Sequence, residues 1–215
     1  MDVPRQKLLI FPFNGNGLEA LDCMDPERFE FIGFVDDSAE KRAQRHPWPV
    51  MDRSAFDRFP DARVLAVPGS PTSFPKRGEY IAALPIDKAR LVSVVHPSAR
   101  IGHAVTLGTN CLIMAGVVIT SNASVGDHVC ILPNTVVHHD AVIGDFTLIG
   151  SNVAIAGGTS IGRNCYIGSG TNIINGISVG ALTLVGMGSN VTRSIPEGSR
   201  VAGNPARQII QKTTD

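Results

Sequence analysis

The sequence predicts two parts in series: a small α/β domain over residues 1–92 and an all-β, left-handed parallel β-helix over 93–205, with a C-terminal tail at 206–215. Three observations predict this. An aliphatic residue recurs every six positions through the second half of the chain. Glycines and small residues keep step with it. The first part instead reads strand, glycine-rich turn, helix, strand, acid.

The six-residue period starts at Ile101 and continues through Leu107, Ile113, Ile119, Val125, Ile131, Val137 and Ile143. It carries on through Ile149, Ile155, Ile161, Ile167, Ile173, Val179 and Val185 to Val191, without an insertion. The residue after the aliphatic is often glycine, as at 102, 108, 126, 144, 150, 162, 168, 180 and 186. Two residues before it the side chain is usually small, as at Ala99, Cys111, Ala123, Thr135, Ala141, Thr147, Thr159, Cys165 and Thr171. One mechanism accounts for all three regularities. Each hexad is a short strand plus a turn, and three hexads close a triangular coil, giving about five coils in all. The aliphatic fills the interior, the small residue fits beside it, and glycine is expected where the backbone turns sharply or takes a positive φ. Stacked coils pair each strand with those above and below, leaving open edges only at the ends.

In the first part, Lys7-Leu8-Leu9-Ile10-Phe11 reads as a strand followed by Asn14-Gly15-Asn16-Gly17 and a helix through Leu18, Leu21 and Met24. A second strand, Phe31 to Val35, ends at Asp36-Asp37; a third, Arg63 to Val67, ends at Pro68-Gly69-Ser70, before a helix over about 75–84. This is the order of a small parallel, Rossmann-like nucleotide-binding unit. Its glycine turn can present backbone N–H groups to a phosphate, and an acid after the second strand can accept from a ribose or base. A plain connection and solvated turn acids are the competing reading. After Val191, Ile195 to Ala206 forms a loop punctuated by Pro and Gly, and 207–212 reads as a short helix or strand.

Composition excludes several classes. Lys and Arg number 19 against 19 Asp and Glu, so no net positive charge favours nucleic acid, and only 6% of residues are aromatic. No apolar run approaches the roughly 20 residues of a membrane span, and the one near the N-terminus is too short for a signal-peptide core. Cys23, Cys111, Cys130 and Cys165 show neither a CxxC pair nor metal-ligand spacing, which suggests free thiols in the cytoplasm. His103 and His139 stand 36 residues apart, two coils. At the inter-strand spacing that is roughly 10 Å, too far for one chain to hold a single zinc with both.

An α/β unit, then the repeats, then Val201-Ala202-Gly203-Asn204-Pro205-Ala206 resembles the bacterial nucleotide-sugar acetyltransferases of the sialic-acid O-acetyltransferase type. That family includes the bacillosamine-pathway and perosamine N-acetyltransferases. The stretch Val136 to Phe146 is similar to the family's His-acid hexad. The resemblance implies an acetyl-CoA-dependent enzyme without a metal, with His139 as general base and Asp140 orienting it. An imidazole titrating near neutrality suits removal of the amine proton, and a carboxylate fixes its tautomer. The resemblance also implies an oxyanion donor at the Gly157 backbone N–H, a CoA groove that includes Gly168 and Gly186, and a homotrimer. The nucleotide sugar would meet Gly15, Asn16, Gly17, Asp36 and Asp37. Relatives usually carry a Gly-Ala-Gly-Gly-His turn where this chain has Pro12 to Gly17, and some have a histidine where Leu148 stands. O-acetylation of a sugar and a non-catalytic nucleotide-sugar-binding trimer remain as alternatives.

Overall fold

The computed structural model describes residues 4–209. Its N-terminal part runs β1 (Gln6–Phe11), α1 (Gly15–Asp22), β2 (Phe29–Val35), α2 (Ala39–Ala43), β3 (Val50–Met51), α3 (Ala55–Arg58), β4 (Arg63–Ala66) and α4 (Arg77–Ala82). The four strands form one parallel sheet in the order β3-β2-β1-β4. Leu8, Leu9 and Ile10 of β1 are fully buried, as a central parallel strand covered on both faces requires. The chain leaves β1 toward β2 on one side and returns as β4 on the other. The ends of β1 and β4 therefore flank a topological switch point, where open α/β sheets hold ligands. The sequence reading has three strands here and misses β3, whose two residues follow Pro47-Trp48-Pro49 and carry no alternation to read.

From Val94 onward, strands of two or three residues wind into a parallel β-helix with three faces. The first face runs from Val94–Val95 to Arg207–Gln208, the second from Arg100–Ile101 to Asn190–Val191, and the third from Thr106–Leu107 to Ser178–Val179. Residue n pairs with n+18, as in Ile131 with Ile149 and Val137 with Ile155, so each residue's place on the prism repeats every coil. The aliphatics from Ile113 to Val191 are all buried, and beside them Thr135, Thr147, Thr159 and Thr171 are inaccessible. Ile101 departs from the expected pattern at 42% exposed, because its strand ends a sheet and no coil lies beneath it. Arg207–Gln208 turns back to pair antiparallel with Arg200–Ala202, so the start of the expected tail is a strand of the first face. Residues 210–212 of the expected tail lie outside the described residues.

The glycines do not work as expected. None of those following the aliphatic has a positive φ. The left-handed position lies two residues further on and is mostly filled by Asn110, Asn122, His128, Asn134, Asp140, Asn152, Asn164 and glycines such as Gly116 and Gly158, with Ala104, Phe146 and Leu182 as the exceptions. Asn, Asp and Gly tolerate that conformation best. The glycine after the aliphatic is needed for stacking instead. A Cβ on Gly144 would lie 2.6 Å from the Arg163 nitrogen of the next coil, and one on Gly162 would lie 2.5 Å from that of Ala181.

The first face carries the α/β domain. Its outward residues Leu112, Cys130, Leu148, Tyr166 and Leu184 join Leu8, Ile10, Phe34, Leu65 and Phe74 in one apolar cluster. The corner between the third and first faces adds polar anchors. Asn110 pairs its amide with both the N–H and the C=O of Ala66, 2.7 Å each, which closes the free edge of β4. Asn164 donates to the Pro75 carbonyl at 2.8 Å. The fully buried Arg77 guanidinium donates to the carbonyls of Pro68 and His128.

Candidate active site

His139 and Asp140 occupy the corner between the second and third faces. Val137, two residues earlier, is fully buried in the prism, and that phase puts His139 on the outer turn. His139 Nδ1 lies 2.7 Å from Asp140 Oδ2, with the two side chains 65% and 56% exposed. The His139 hydrogen bond, and after it that of Asn122, holds the Asp140 carboxyl below its ordinary value. A carboxylate at Nδ1 favours the tautomer with the proton there, which leaves the Nε2 lone pair free to accept. No hydrogen bond engages Nε2 among the described residues.

One coil on, at the same corner position, stands Gly157. A Cβ there would lie 2.6 Å from His139 Nε2 and 2.7 Å from Cε1, so the imidazole rests against bare backbone. The carbonyl of Gly157 accepts from the N–H of Gly176, and the carbonyl of His139 from that of Gly158. The Gly157 N–H has no acceptor among the described residues. His139 and Gly157 thus lie together, which the spacing of 18 residues makes inevitable.

A cleft of about 310 Å³ lies elsewhere, at the switch point, lined by Asn14, Gly15, Asn16, Gly69, Ser70 and Tyr166 among others. Leu132, Leu148 and Gly150 of the prism form its floor. Asn14 caps α1 by accepting from the Gly17 N–H at 2.8 Å. Leu148, 4% exposed, sits here under the α/β domain, away from the corner that holds His139.

Of the five sequence-predicted substrate residues, Gly15 and Asn16 line this cleft. Gly17 does not; it serves packing, since a Cβ would lie 2.4 Å from the Pro12 carbonyl oxygen. Asp36 is buried, and its carboxylate already accepts from the N–H groups of Phe13 and Ser38 and from Lys41 Nζ. It clamps the β1–α1 loop to the turn after β2. Asp37 points to Arg53, which meets it with two hydrogen bonds of 2.8 and 3.0 Å and holds its carboxyl below the ordinary value.

Gly168 and Gly186 lie at the corner between the first and second faces, in the column of Gly150. They are on the cleft's edge of the prism, not on His139's. Within one chain, therefore, the predicted base and the predicted cofactor glycines other than Gly157 occupy neighbouring edges. Asn14, Ser70 and Tyr166 also line the cleft and are not among the sequence-predicted residues. Their signal was position: two follow the strands flanking the switch point, and one faces outward from the covered face.

All four cysteines are free and buried. Burial pushes the Cys130 thiol up to about 12 and those of Cys23, Cys111 and Cys165 up to about 11, so none supplies a thiolate nucleophile. Among the described residues no helix is long and apolar enough to cross a membrane.

Prism and repeat together point to one activity: the protein is an acyltransferase, with hexapeptide repeats over residues 99–193. Residues 122–157 match the bacterial transferase hexapeptide (six repeats), and residues 99–121, 141–175 and 158–193 match the hexapeptide repeat of succinyl-transferase. Over nearly its whole length the chain is similar to PerB from Caulobacter crescentus, solved with CoA and GDP-perosamine. Their TM-score is 0.81 with 27% identity, covering 97% of this chain and 99% of that one. It also shares its fold with the acetyltransferase domain of PglB from Neisseria gonorrhoeae, solved with acetyl coenzyme A (TM-score 0.82, 24% identity, 96% and 100% covered). WeeI from Acinetobacter baumannii gives a TM-score of 0.79 at 24% identity, with 96% and 100% covered. No curated protein matches in sequence.

Proposed function

We propose that the protein is an acetyl-CoA-dependent N-acetyltransferase acting on the amino group of a nucleotide-linked amino-deoxysugar, and that it works as a homotrimer built on a left-handed β-helix. The observation that carries this is the 2.7 Å His139–Asp140 pair on an exposed prism edge, with Nε2 unengaged beside the Gly157 backbone. The likeness to PerB, solved with CoA and GDP-perosamine, supports the choice of donor and acceptor.

In this reading the sugar amine attacks the thioester carbonyl, forming a C–N bond and a tetrahedral oxyanion. His139 Nε2 takes the amine proton, and Asp140 stabilises the imidazolium through Nδ1–H. The Gly157 N–H donates to the oxyanion. Collapse of the intermediate breaks the C–S bond, and the proton held by His139 goes to the departing CoA sulfur. The nucleotide lies in the cleft at Asn14, Gly15, Asn16 and Ser70, its phosphate facing the free N–H groups at the start of α1. Cleft and His139 sit on different edges of one prism, so a neighbouring copy that lays its cleft edge along the His139 corner completes the site.

The test is thiol release from acetyl-CoA against a panel of UDP-, GDP- and dTDP-linked 3-amino- and 4-amino-sugars. Turnover with at least one aminosugar is expected, falling by about a hundredfold or more in His139→Ala with the assembly intact. Unchanged turnover in that variant removes His139 as the base. Turnover with hydroxyl acceptors alone replaces N- by O-acetylation.

A further inference from the structure

The His139–Asp140 pair lies open to solvent, and an exposed ion pair holds no fixed geometry by itself. A base that depends on one tautomer needs its carboxylate held still. The carboxylate has two oxygens, and His139 uses Oδ2. The other, Oδ1, accepts from Asn122 Nδ2 at 3.2 Å. Asn122 belongs to the preceding coil and stands directly below Asp140, one 18-residue step away. Both residues occupy the left-handed corner position, with φ of 61° and 59°. The Asp140 N–H is bonded to the Ser121 carbonyl, so backbone and side chain of Asp140 are each tied to the coil beneath.

We propose that Asn122 is a positioning residue for the base: its amide fixes the plane of the Asp140 carboxylate and thereby keeps the proton of His139 on Nδ1. The inference rests on the reading of His139 as base for its meaning in catalysis, but the coupling itself is a property of the three side chains. Free imidazole side chains in water favour the proton on Nε2, which would block that nitrogen as an acceptor. Asn122 therefore acts on Nε2 from the far side of Asp140, without touching substrate.

Two substitutions separate this role from a structural one, since both suit a left-handed backbone. Asn122→Gly deletes the amide and keeps the corner. Asn122→Asp keeps the shape and replaces a donor with a second carboxylate. The readout is the ¹⁵N spectrum and pH titration of the His139 ring in the whole protein, with thermal melting as the control for folding. In the parent protein the neutral ring is expected to hold its proton on Nδ1. Asn122→Gly is expected to raise the Nε2–H share severalfold, and Asn122→Asp to raise the titration midpoint by about half a pH unit, the Coulomb effect of one more nearby carboxylate in water. An unchanged tautomer ratio in Asn122→Gly and an unchanged midpoint in Asn122→Asp, with the melt unaltered, overturn the proposal. Should the ring respond as expected while His139→Ala keeps full acetyl transfer, the base reading fails and the positioning contact stands.

Discussion

Gly157 and His139 share one corner position in successive coils, and a Cβ on Gly157 would fall 2.6 Å from His139 Nε2. Gly157 has no positive φ, so its lack of a side chain is not a backbone requirement. It is room for the imidazole. Gly157→Ala is therefore expected to fold normally and to displace the ring. Acetyl transfer should fall by about tenfold to a hundredfold, as small displacements of a reacting group do, while the melting temperature stays within a few degrees. Steady-state kinetics beside a thermal melt check both halves.

The Asn110 amide closes the edge of β4 through both polar groups of Ala66. Asn110→Gly keeps the left-handed corner but strands a buried N–H and C=O. A loss of about 2 kcal/mol is expected, read from the urea midpoint. Hydrogen exchange should quicken first at Ala66 in β4, whose outer-edge N–H has lost its acceptor.

His128 sits at the same inter-domain corner. Its ring stacks on Phe146 at 4.6 Å, and Nδ1 lies 3.0 Å from the Asn110 amide nitrogen. That amide nitrogen already donates to Ala66, so Nδ1 acts as acceptor and the ring is neutral. Burial lowers the His128 pKa from its ordinary 6.5, Asp127 and Asp145 oppose this, and Arg77 and Lys88 reinforce it. A histidine with a depressed folded pKa lends stability above its unfolded value and loses it as the pH falls from there toward the folded one. The melting temperature should thus drop more steeply below pH 6.5 in the parent than in His128→Asn, which keeps the corner conformation without a titrating ring. Parallel melting curves across pH 5 to 8 would show that His128 carries none of the acid sensitivity.

The four buried thiols are held far above neutrality. A bulky aromatic disulfide reagent is expected to titrate none of them in the native protein and all four after denaturation. Pretreatment with it should leave acetyl transfer intact, and rapid native labelling would contradict the burial.

The prism was legible because one period of six controls burial, and a single insertion would have destroyed the pattern. The His139 corner followed from the same phase. The period of 18 was legible too, but not which face of the coil would be covered. Leu112, Cys130, Leu148, Tyr166 and Leu184 mark the covered face, yet each looks like an ordinary strand residue within its own hexad. The role of glycine was misjudged because stacking clearance and left-handed φ leave the same letter in the sequence. The donors on Asp36, from Phe13, Ser38 and Lys41, are equally hidden in the sequence, because they converge only when two loops meet.

The pairing of residue n with n+18 also governs how such a chain can change length. Removing one whole coil beyond Gly176 would shorten the prism and leave His139, Gly157 and the docked α/β domain in their places. Removing six residues between Ile143 and Ile155 would turn everything downstream by a third of a revolution. Gly157 would leave the ring of His139 for a neighbouring edge, and Asn164 would turn away from Pro75. Insertions and deletions in this half of the protein are thus quantised, tolerated in units of eighteen and ruinous in units of six.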